Sequence, residues 1–317
     1  MGERTNKYTT SMVKCFKQCR KKYSLEYIEE LTPIQTPKAL ELGTLYHRGL
    51  ELLLHNKMDV KSIALVLEKE QRNACEERGV DYDQIPVGIA TAMICAFYKE
   101  SNYKLWNIRK VEEKFEVSTG YGKRLIGKID AIMELDGKDF LIEHKTTSQW
   151  GKDGGEYLHN LLWDEQSTNY LYAYREMYGK PAAGIMYCIV EKPIIKPMLA
   201  TPMDKRKYKL DGTLYANQRE VDETPEEYIS RVLLWYAKEP RVHIHFIHRT
   251  PAEIDAQVED LNLVFKDMAE CEKNETYYRN PSACSIIDCP YRPKCLENAP
   301  DTDCLFIKKK ARNEELA

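Results

Sequence analysis

The segment Gly127–Thr147 reads Gly-Lys-Ile-Asp-Ala-Ile-Met-Glu-Leu-Asp-Gly-Lys-Asp-Phe-Leu-Ile-Glu-His-Lys-Thr-Thr. Its centre, Asp136-Gly137, is a dipeptide favoured in two-residue type I′ turns, because both central residues of that turn need a positive φ angle. Apolar runs flank the turn on both sides, as they do in hairpins with a buried face. The segment therefore predicts an antiparallel pair of strands, 124–135 and 139–147.

The hairpin brings charged side chains together. If the turn pairs Leu135 with Lys138, continuing the ladder puts Asp130 directly opposite Glu143. Opposed side chains in an antiparallel pair have Cβ atoms about 4.5–5.5 Å apart, and like charges there destabilise the sheet. A cation is therefore expected between the two carboxylates. Lys145 lies two positions after Glu143, on the same face of its strand.

Two carboxylates beside a lysine suit the hydrolysis of a phosphodiester bond. Hard divalent ions such as Mg²⁺ or Mn²⁺ prefer oxygen ligands. Such an ion lowers the pKa of a bound water and neutralises phosphate charge, while the ammonium group of Lys145 can orient or deprotonate the attacking water. The alternative is purely structural, because an acid-x-Lys triplet is common on strands and a bulge would break the register.

The composition is typical of a globular chain, with 43% hydrophobic and 31% charged residues among 317. No apolar run approaches the roughly 18 residues of a membrane helix, and the first residues lack the apolar core of a signal peptide, so we expect a cytoplasmic protein without membrane contact. The net charge of −3 does not by itself indicate nucleic-acid binding. Basic residues gather at 14–22 and 308–312, where solvated charged surfaces are the alternative interpretation.

Hydrophobic periodicity organises the rest of the chain. We expect helices over 39–54, 60–77, 87–100, 164–178, 224–238 and 251–272. We expect further strands over 110–118, 183–191 and 241–247; a metal site at His243, His245 and His248 is the alternative to the last. No repeat or linker divides the chain, which predicts one domain over 1–317. Its parts are a Cys-bearing, helical N-terminal region (1–105), a catalytic core (106–200), a helical C-terminal part (201–275) and a Cys-rich tail (276–305).

Five short segments together resemble one nuclease family. Gly127-Lys-Ile-Asp130 and Glu143-His-Lys145-Thr146 look like the motif pair of the PD-(D/E)XK nucleases, particularly their RecB-like branch. Gly43-Thr-Leu-Tyr-His47-Arg-Gly-Leu-Glu51 is similar to that branch's Gly-Thr-x-x-His-x-x-Leu-Glu helix. Val111-Glu-Glu-Lys-Phe115 resembles its first core strand, and Gln166-Ser-Thr-Asn-Tyr170 matches its Gln-x-x-x-Tyr helix. The segments follow the family's order along the chain.

The resemblance implies a fold and a set of roles. The fold is α/β, a restriction-endonuclease-like PD-(D/E)XK core with a mixed sheet flanked by helices, an N-terminal helical region and a Cys-rich C-terminal tail. The activity is that of a Mg²⁺- or Mn²⁺-dependent DNA exonuclease whose partner is DNA, as ends or single strands. The implied metal ligands are His47, Asp130, Glu143 and the backbone carbonyl of His144. The implied catalytic and DNA-contacting residues are Asp130, Glu143, Lys145, Gln166 and Tyr170.

Ten cysteines are unusual for a cytoplasmic chain, and four fall between 284 and 304. Such bunching more often indicates a metal than disulfides. Resemblance to the CRISPR-associated RecB-like exonucleases and to AddB-type nuclease domains implies a [4Fe-4S] cluster held by Cys19, Cys284, Cys289 and Cys295. Arg20 replaces the family's proline, and the gap between Cys284 and Cys289 is longer than usual. Cys15 or Cys304 could replace a ligand, and Zn²⁺ is the alternative metal.

A second hypothesis keeps the fold without catalysis, as a module that binds DNA ends or a protein. A retired nuclease should have lost an acid or the lysine, whereas Asp130, Glu143 and Lys145 are all present. No Walker A sequence occurs, so any helicase or recombination activity must come from a partner. Repair, recombination, and phage or CRISPR DNA processing all remain open as pathways.

Overall fold

The computed structural model describes residues 6–34, 38–120, 122–151, 153–286, 289–295 and 305–308. Its helices are α1 (Thr10–Gln18), α2 (Arg20–Tyr23), α3 (Lys38–Leu54), α4 (Val60–Arg78), α5 (Ile85–Glu100), α6 (Gly155–Leu161), α7 (Glu165–Tyr178), α8 (Pro225–Lys238), α9 (Pro251–Asn274), α10 (Pro281–Ile286) and α11 (Arg292–Cys295). Its strands are β1 (Lys7–Thr9), β2 (Leu31–Pro33), β3 (Asn107–Gly120), β4 (Lys123–Leu135), β5 (Lys138–Thr147), β6 (Gly184–Glu191), β7 (Val242–Ile247) and β8 (Phe306–Lys308).

The predicted hairpin is confirmed, with the predicted turn. Asp136 and Gly137 have φ angles of 50° and 74°, as a type I′ turn requires. The ladder between β4 and β5 ends at the pair Ala131–Ile142. It therefore stops one position short of the predicted opposed pair of Asp130 and Glu143, and that part of the prediction is wrong.

The reason lies in how β4 shares its edges in the six-stranded mixed sheet. β3 runs antiparallel along one edge of β4. The other edge is divided, because β1 pairs in parallel with residues 124–126 and β5 pairs with residues 131–135. Residues 127–130 lie between these two partners, so Asp130 is placed where one neighbouring strand has ended and the next has not begun. Beyond β5, β6 is parallel and β7 antiparallel.

The alternation of side chains along β4 is interrupted at Asp130. Ile129 and Ile132 both pack into the core formed with α1, α7 and α9, although strict alternation would send them to opposite faces. On the neighbouring β3, Glu112 has a φ angle of 55°, which is uncommon for a residue other than glycine. The distortion presents the Asp130 carboxylate to the backbone N–H of His144, which donates to it at 2.9 Å.

Helices cover both faces of the sheet, as predicted. On β5, Phe140 and Ile142 point into a core with α3, α5 and α8, whereas Leu141 points into the core with α1, α7 and α9. The predicted helices and strands are confirmed, with ends that differ by a few residues. The sequence analysis missed the short elements β1, β2, β8, α6, α10 and α11, and it gave no bounds for α1 and α2 within its helical N-terminal region. No helix among the described residues is long and apolar enough to cross a bilayer.

Candidate active site

The ammonium group of Lys145 is held by three side chains. Its Nζ lies 2.9 Å from Oε1 of Glu143 and 3.2 Å from Oδ2 of Asp164. It also donates a hydrogen bond of 3.1 Å to Oε1 of Gln166. Burial disfavours the charged form, but the two carboxylates more than offset it and hold the pKa of Lys145 above its usual value. Lys145 is therefore a positively charged group with a fixed direction.

Two carboxylates lie near this lysine, the buried Glu143 and the partly buried Asp130. Glu143 is 3% exposed, and burial raises its pKa to about 7 in spite of the nearby Lys145. Burial also raises the pKa of Asp130 to about 7, against the hydrogen bond from the His144 N–H. Oε2 of Glu143 has no hydrogen-bond partner among the described residues. A buried oxygen left in this state is costly, and a cation placed against it would remove that cost.

Helix α3 brings an imidazole to the same place. Nδ1 of His47 lies 3.6 Å from Oδ2 of Asp130. Desolvation lowers the pKa of His47, which favours the neutral ring that can bind a metal. The ring of His144 points to the opposite face, as predicted, where it packs edge-on against Phe97 and burial lowers its pKa to about 3. The backbone of His144 contacts Asp130, and its ring also lies edge-on to the ring of His47, with the centroids 6.4 Å apart.

Gln166 and Tyr170 lie one turn apart on α7 and face the carboxylates. Nε2 of Gln166 donates to Oε1 of Glu143 and to the Tyr170 hydroxyl, at 2.9 Å each. The ring of Tyr170 packs edge-on against Phe115, and burial holds its pKa above the usual value. The structure thus brings both predicted residues to the site and connects them to its acids. Their contact with DNA stays a prediction.

Asp164 is a site residue that the sequence analysis missed. It caps α7, since its Oδ1 accepts from the backbone N–H of Gln166 at 3.1 Å, while its Oδ2 faces Lys145. An aspartate just before a helix is a recognised N-cap signal. That signal predicts the capping bond but carries no information about the ion pair of Asp164 with Lys145 on β5.

Two adjoining clefts border the site, and Ser11 lines both. One contains His47, Arg48, Glu112, Lys128 and Lys192. The other contains Lys14, Lys17, Lys145, Tyr157, Trp163 and Gln166. Part of the basic segment predicted at 14–22 therefore lies beside the carboxylates, which the overall charge of the chain does not reveal.

The four predicted cluster cysteines line one cavity of about 280 Å³, namely Cys19, Cys284, Cys289 and Cys295. Cys15 packs into the core with α1, α7 and α9 and does not line this cavity. Cys304, the other alternative ligand, lies outside the described residues. Burial raises the pKa of Cys295, as do the neighbouring Cys289 and Cys19, whereas Arg279 lowers it.

In the described residues, neither the carboxylates with His47 nor the four cysteine thiols are arranged closely enough to coordinate a metal ion. Among the residues that the structure describes, no three His, Cys, Asp or Glu side chains are arranged to hold one ion. The donor types still suit the predicted metals. Carboxylates with one imidazole suit a hard divalent ion, and four thiols around a cavity suit Fe–S or Zn²⁺. Both sites stay predictions.

Comparison with known proteins identifies the family. The family model of the PD-(D/E)XK nuclease superfamily matches residues 7–296. A search of curated proteins finds no match. Among solved structures, the chain is similar to a candidate exonuclease from Eubacterium rectale, with 14% identity, a TM-score of 0.48, and coverage of 92% of this chain and 88% of that one. It is also similar to SSO0001, with 18% identity, a TM-score of 0.27, and coverage of 76% and 81%. Both TM-scores are below 0.5 and support no conclusion about function. The family match spans most of the sequence, and the chain therefore belongs to the PD-(D/E)XK nuclease superfamily.

Proposed function

We propose that this nuclease is a Mg²⁺- or Mn²⁺-dependent DNA exonuclease of the RecB-like branch. The observation that carries the proposal is the convergence of Asp130, Glu143 and Lys145 at the point where β4 changes partners. Superfamily members generally use divalent metals, and the unpartnered Oε2 of Glu143 supports a cation here. An end-directed mode of cleavage rests on the resemblance to RecB-like exonucleases.

Each side chain has a role in the proposed reaction. His47, Asp130, Glu143 and the carbonyl of His144 would hold the ion, which when bound neutralises phosphate charge and makes water a stronger nucleophile. Lys145 would orient the attacking water through its fixed Nζ. Gln166 and Tyr170 would position Glu143 and Lys145 and face the DNA strand.

Digestion of end-labelled linear DNA and of covalently closed circular DNA tests this proposal. With Mg²⁺ or Mn²⁺ we expect loss of the linear substrate alone, and no loss in excess chelator. Asp130→Asn and Lys145→Ala should reduce cleavage to background. Asp204→Asn and Lys209→Ala make the same chemical changes at exposed positions far along the chain and should keep full activity.

Three results would contradict the proposal in different ways. Full activity of both site variants excludes this mechanism. Cleavage of the circle shows an endonuclease. Binding of DNA ends without cleavage of either substrate favours the alternative of a catalytically silent binding module.

We also propose that Cys19, Cys284, Cys289 and Cys295 bind a [4Fe-4S] cluster. Their position around one cavity supports a shared group, and the positive charges of Lys22, Arg279 and Arg292, which line the same cavity, would offset the negative charge of a thiolate-bound cluster. The preference for iron over Zn²⁺ rests on the resemblance. An anaerobic preparation should be brown and contain iron and sulfide in equal amounts, whereas a colourless preparation rich in zinc would exclude iron.

The setting that we propose is the cytoplasm, where thiols stay reduced and free to bind the cluster. The substrate ends would arise in repair, recombination, or phage or CRISPR DNA processing. A helicase or recombination protein would supply strand separation, because the sequence has no Walker A motif. Faster digestion of blunt duplex when a helicase is added would support such a partner.

A further inference from the structure

Trp163 is an exposed aromatic residue at the candidate active site. It exposes 75% of its surface and lines the cleft that contains Lys145. In the described part of the chain its ring makes no aromatic or cation–π contact. An indole ring buries a large area when a flat partner covers it, so a flat ligand that stacks on Trp163 would gain binding free energy.

The chain holds Trp163 in a fixed place. The backbone N–H of Trp163 donates to the carbonyl of Asn160 at 3.1 Å, which closes the turn between α6 and α7. The guanidinium of Arg249 donates to the carbonyl of Leu162 at 2.6 Å. The next residue, Asp164, caps α7 and contacts Lys145. The backbone of Trp163 is therefore held one residue from a direct partner of Lys145.

The cleft is lined by three lysines and two acids, which leaves a small excess of positive charge for a phosphate backbone. Lys17 forms an ion pair with Glu165, and Lys145 is paired with Asp164. Lys14 lines the same wall and is exposed. A protein partner would more readily bury an apolar patch than one tryptophan among lysines. Lysines that follow a phosphate backbone, next to an aromatic ring that accepts a base, are the pattern of single-strand recognition.

We propose that Trp163 stacks an unpaired base beside the scissile phosphate, so that the cleft takes a single-stranded or frayed DNA end. Bases inside a duplex already stack on each other and present only their edges, so an outside ring cannot cover their faces. This inference rests on the proposed nuclease function and adds the class of substrate to it.

Equilibrium binding of two fluorescent probes tests the inference. One probe is a single-stranded oligonucleotide, and the other is a covalently closed duplex minicircle that contains the same sequence and has neither ends nor unpaired loops. All proteins carry Asp130→Asn to prevent cleavage. We expect Trp163→Ala to weaken single-strand binding about tenfold, the size expected for one lost stacked base, and to leave duplex binding unchanged. Trp163→Phe should restore most of the affinity, because it keeps a flat ring.

Leu162→Ala is the matched control, because Leu162 is exposed in the same turn but does not line the cleft. It should bind both probes normally. Unchanged single-strand binding by Trp163→Ala, or equal loss for both probes, overturns the inference. If the protein without these changes still degrades labelled linear DNA, the nuclease proposal survives that result. A protein that neither binds nor cleaves DNA overturns both.

Discussion

The amide of Gln166 connects the acid, the base and the aromatic ring of the candidate site. Through one side chain it donates to Glu143 and Tyr170 and accepts from Lys145. An amide can satisfy all three because it has donors on one end and an acceptor on the other. A carboxylate at this position would repel Glu143, and an apolar side chain would remove one of the three partners of Lys145.

At the residue scale, Gln166→Ala should lower kcat for DNA digestion about 10- to 100-fold, as loss of a positioning partner commonly does. KM should change little, because Lys145 and the carboxylates remain. Tyr170→Phe keeps the bond from Gln166 to Glu143 and should have a smaller effect. Steady-state digestion of a fluorescent oligonucleotide measures both parameters, and a change confined to KM would show that Gln166 acts in DNA binding alone.

At the element scale, α3 must lie close to α5 for His47 to reach Asp130. Gly49 makes this approach possible, because a Cβ added there would lie 2.1 Å from Cδ1 of the buried Ile94. Gly43 lies on the same helix, and a Cβ there would meet nothing within 4 Å. Alanine substitutions at the two positions therefore distinguish the effect of helix packing, which acts at Gly49, from the effect of helix propensity, which acts alone at Gly43.

We expect Gly49→Ala to destabilise the protein by about 1–3 kcal/mol, because the added methyl overpacks the contact between α3 and α5. Gly43→Ala should instead stabilise it by about 0.5–1 kcal/mol, the usual gain of alanine over glycine inside a helix. Chemical denaturation of the two variants measures both values. Equal effects of the same sign would contradict this account of how α3 is placed.

A second element-scale contact fixes the start of α8. Glu223 is 1% exposed in its side chain and accepts from Nε and Nη2 of Arg231 at 2.6 and 2.7 Å. It also accepts from the backbone N–H of Met198 at 2.8 Å. The hydrogen bonds from Arg231 are the main reason that the pKa of Glu223 falls to about 2.

A lowered carboxyl pKa stabilises the fold only where the group is ionised. The contribution of Glu223 should therefore be complete above pH 4.5 and decline as the pH falls towards 2. At pH 7 we expect Glu223→Gln to lower the free energy of unfolding by about 1.5–3 kcal/mol, and by less at pH 3.5. Glu239→Gln, which removes an exposed partner of Arg241, should cost less than about 1 kcal/mol at either pH. Urea denaturation at the two pH values tests this, and a pH-independent effect would contradict it.

At the scale of the whole molecule, the cysteine cavity joins the end of α1 to the C-terminal segment. A cluster there would close a loop of most of the chain, and long loops cost the most entropy to close in the unfolded state. The prediction of one domain over 1–317 stays a prediction, although β1 pairs with β4 in the main sheet.

We expect Cys19→Ser to lower bound iron and to lower the midpoint of thermal unfolding measured anaerobically. Cys95→Ser removes a thiol outside the cavity and should change neither quantity. The same experiment on Cys15→Ser distinguishes the alternative ligand, which the position of Cys15 in the core disfavours. Normal iron content in Cys19→Ser would exclude Cys19 as a ligand.

The features that could be read from the sequence alone are those set by neighbouring residues. The Asp136-Gly137 turn, the alternation along β5 and the position of Gln166 and Tyr170 on one helical face depend on local backbone geometry. They were sufficient to predict the hairpin of β4 and β5 and the position of Glu143 and Lys145 on one face of β5, whereas the mixed sheet was implied by the resemblance to a family. The motif order then indicated the PD-(D/E)XK nucleases, and the match over residues 7–296 confirms that superfamily.

Other features required the folded chain, because they depend on contacts between distant segments. The short β1 acquires a place only by pairing with residues 124–126 of β4, and Asp130 lies between that pairing and the ladder of β4 with β5. The ion pair of Asp164 with Lys145 and the exposure of Trp163 beside it have no local signal. Each arises where separate elements pack, and packing depends on the shape and burial of the whole molecule rather than on the order of neighbouring residues.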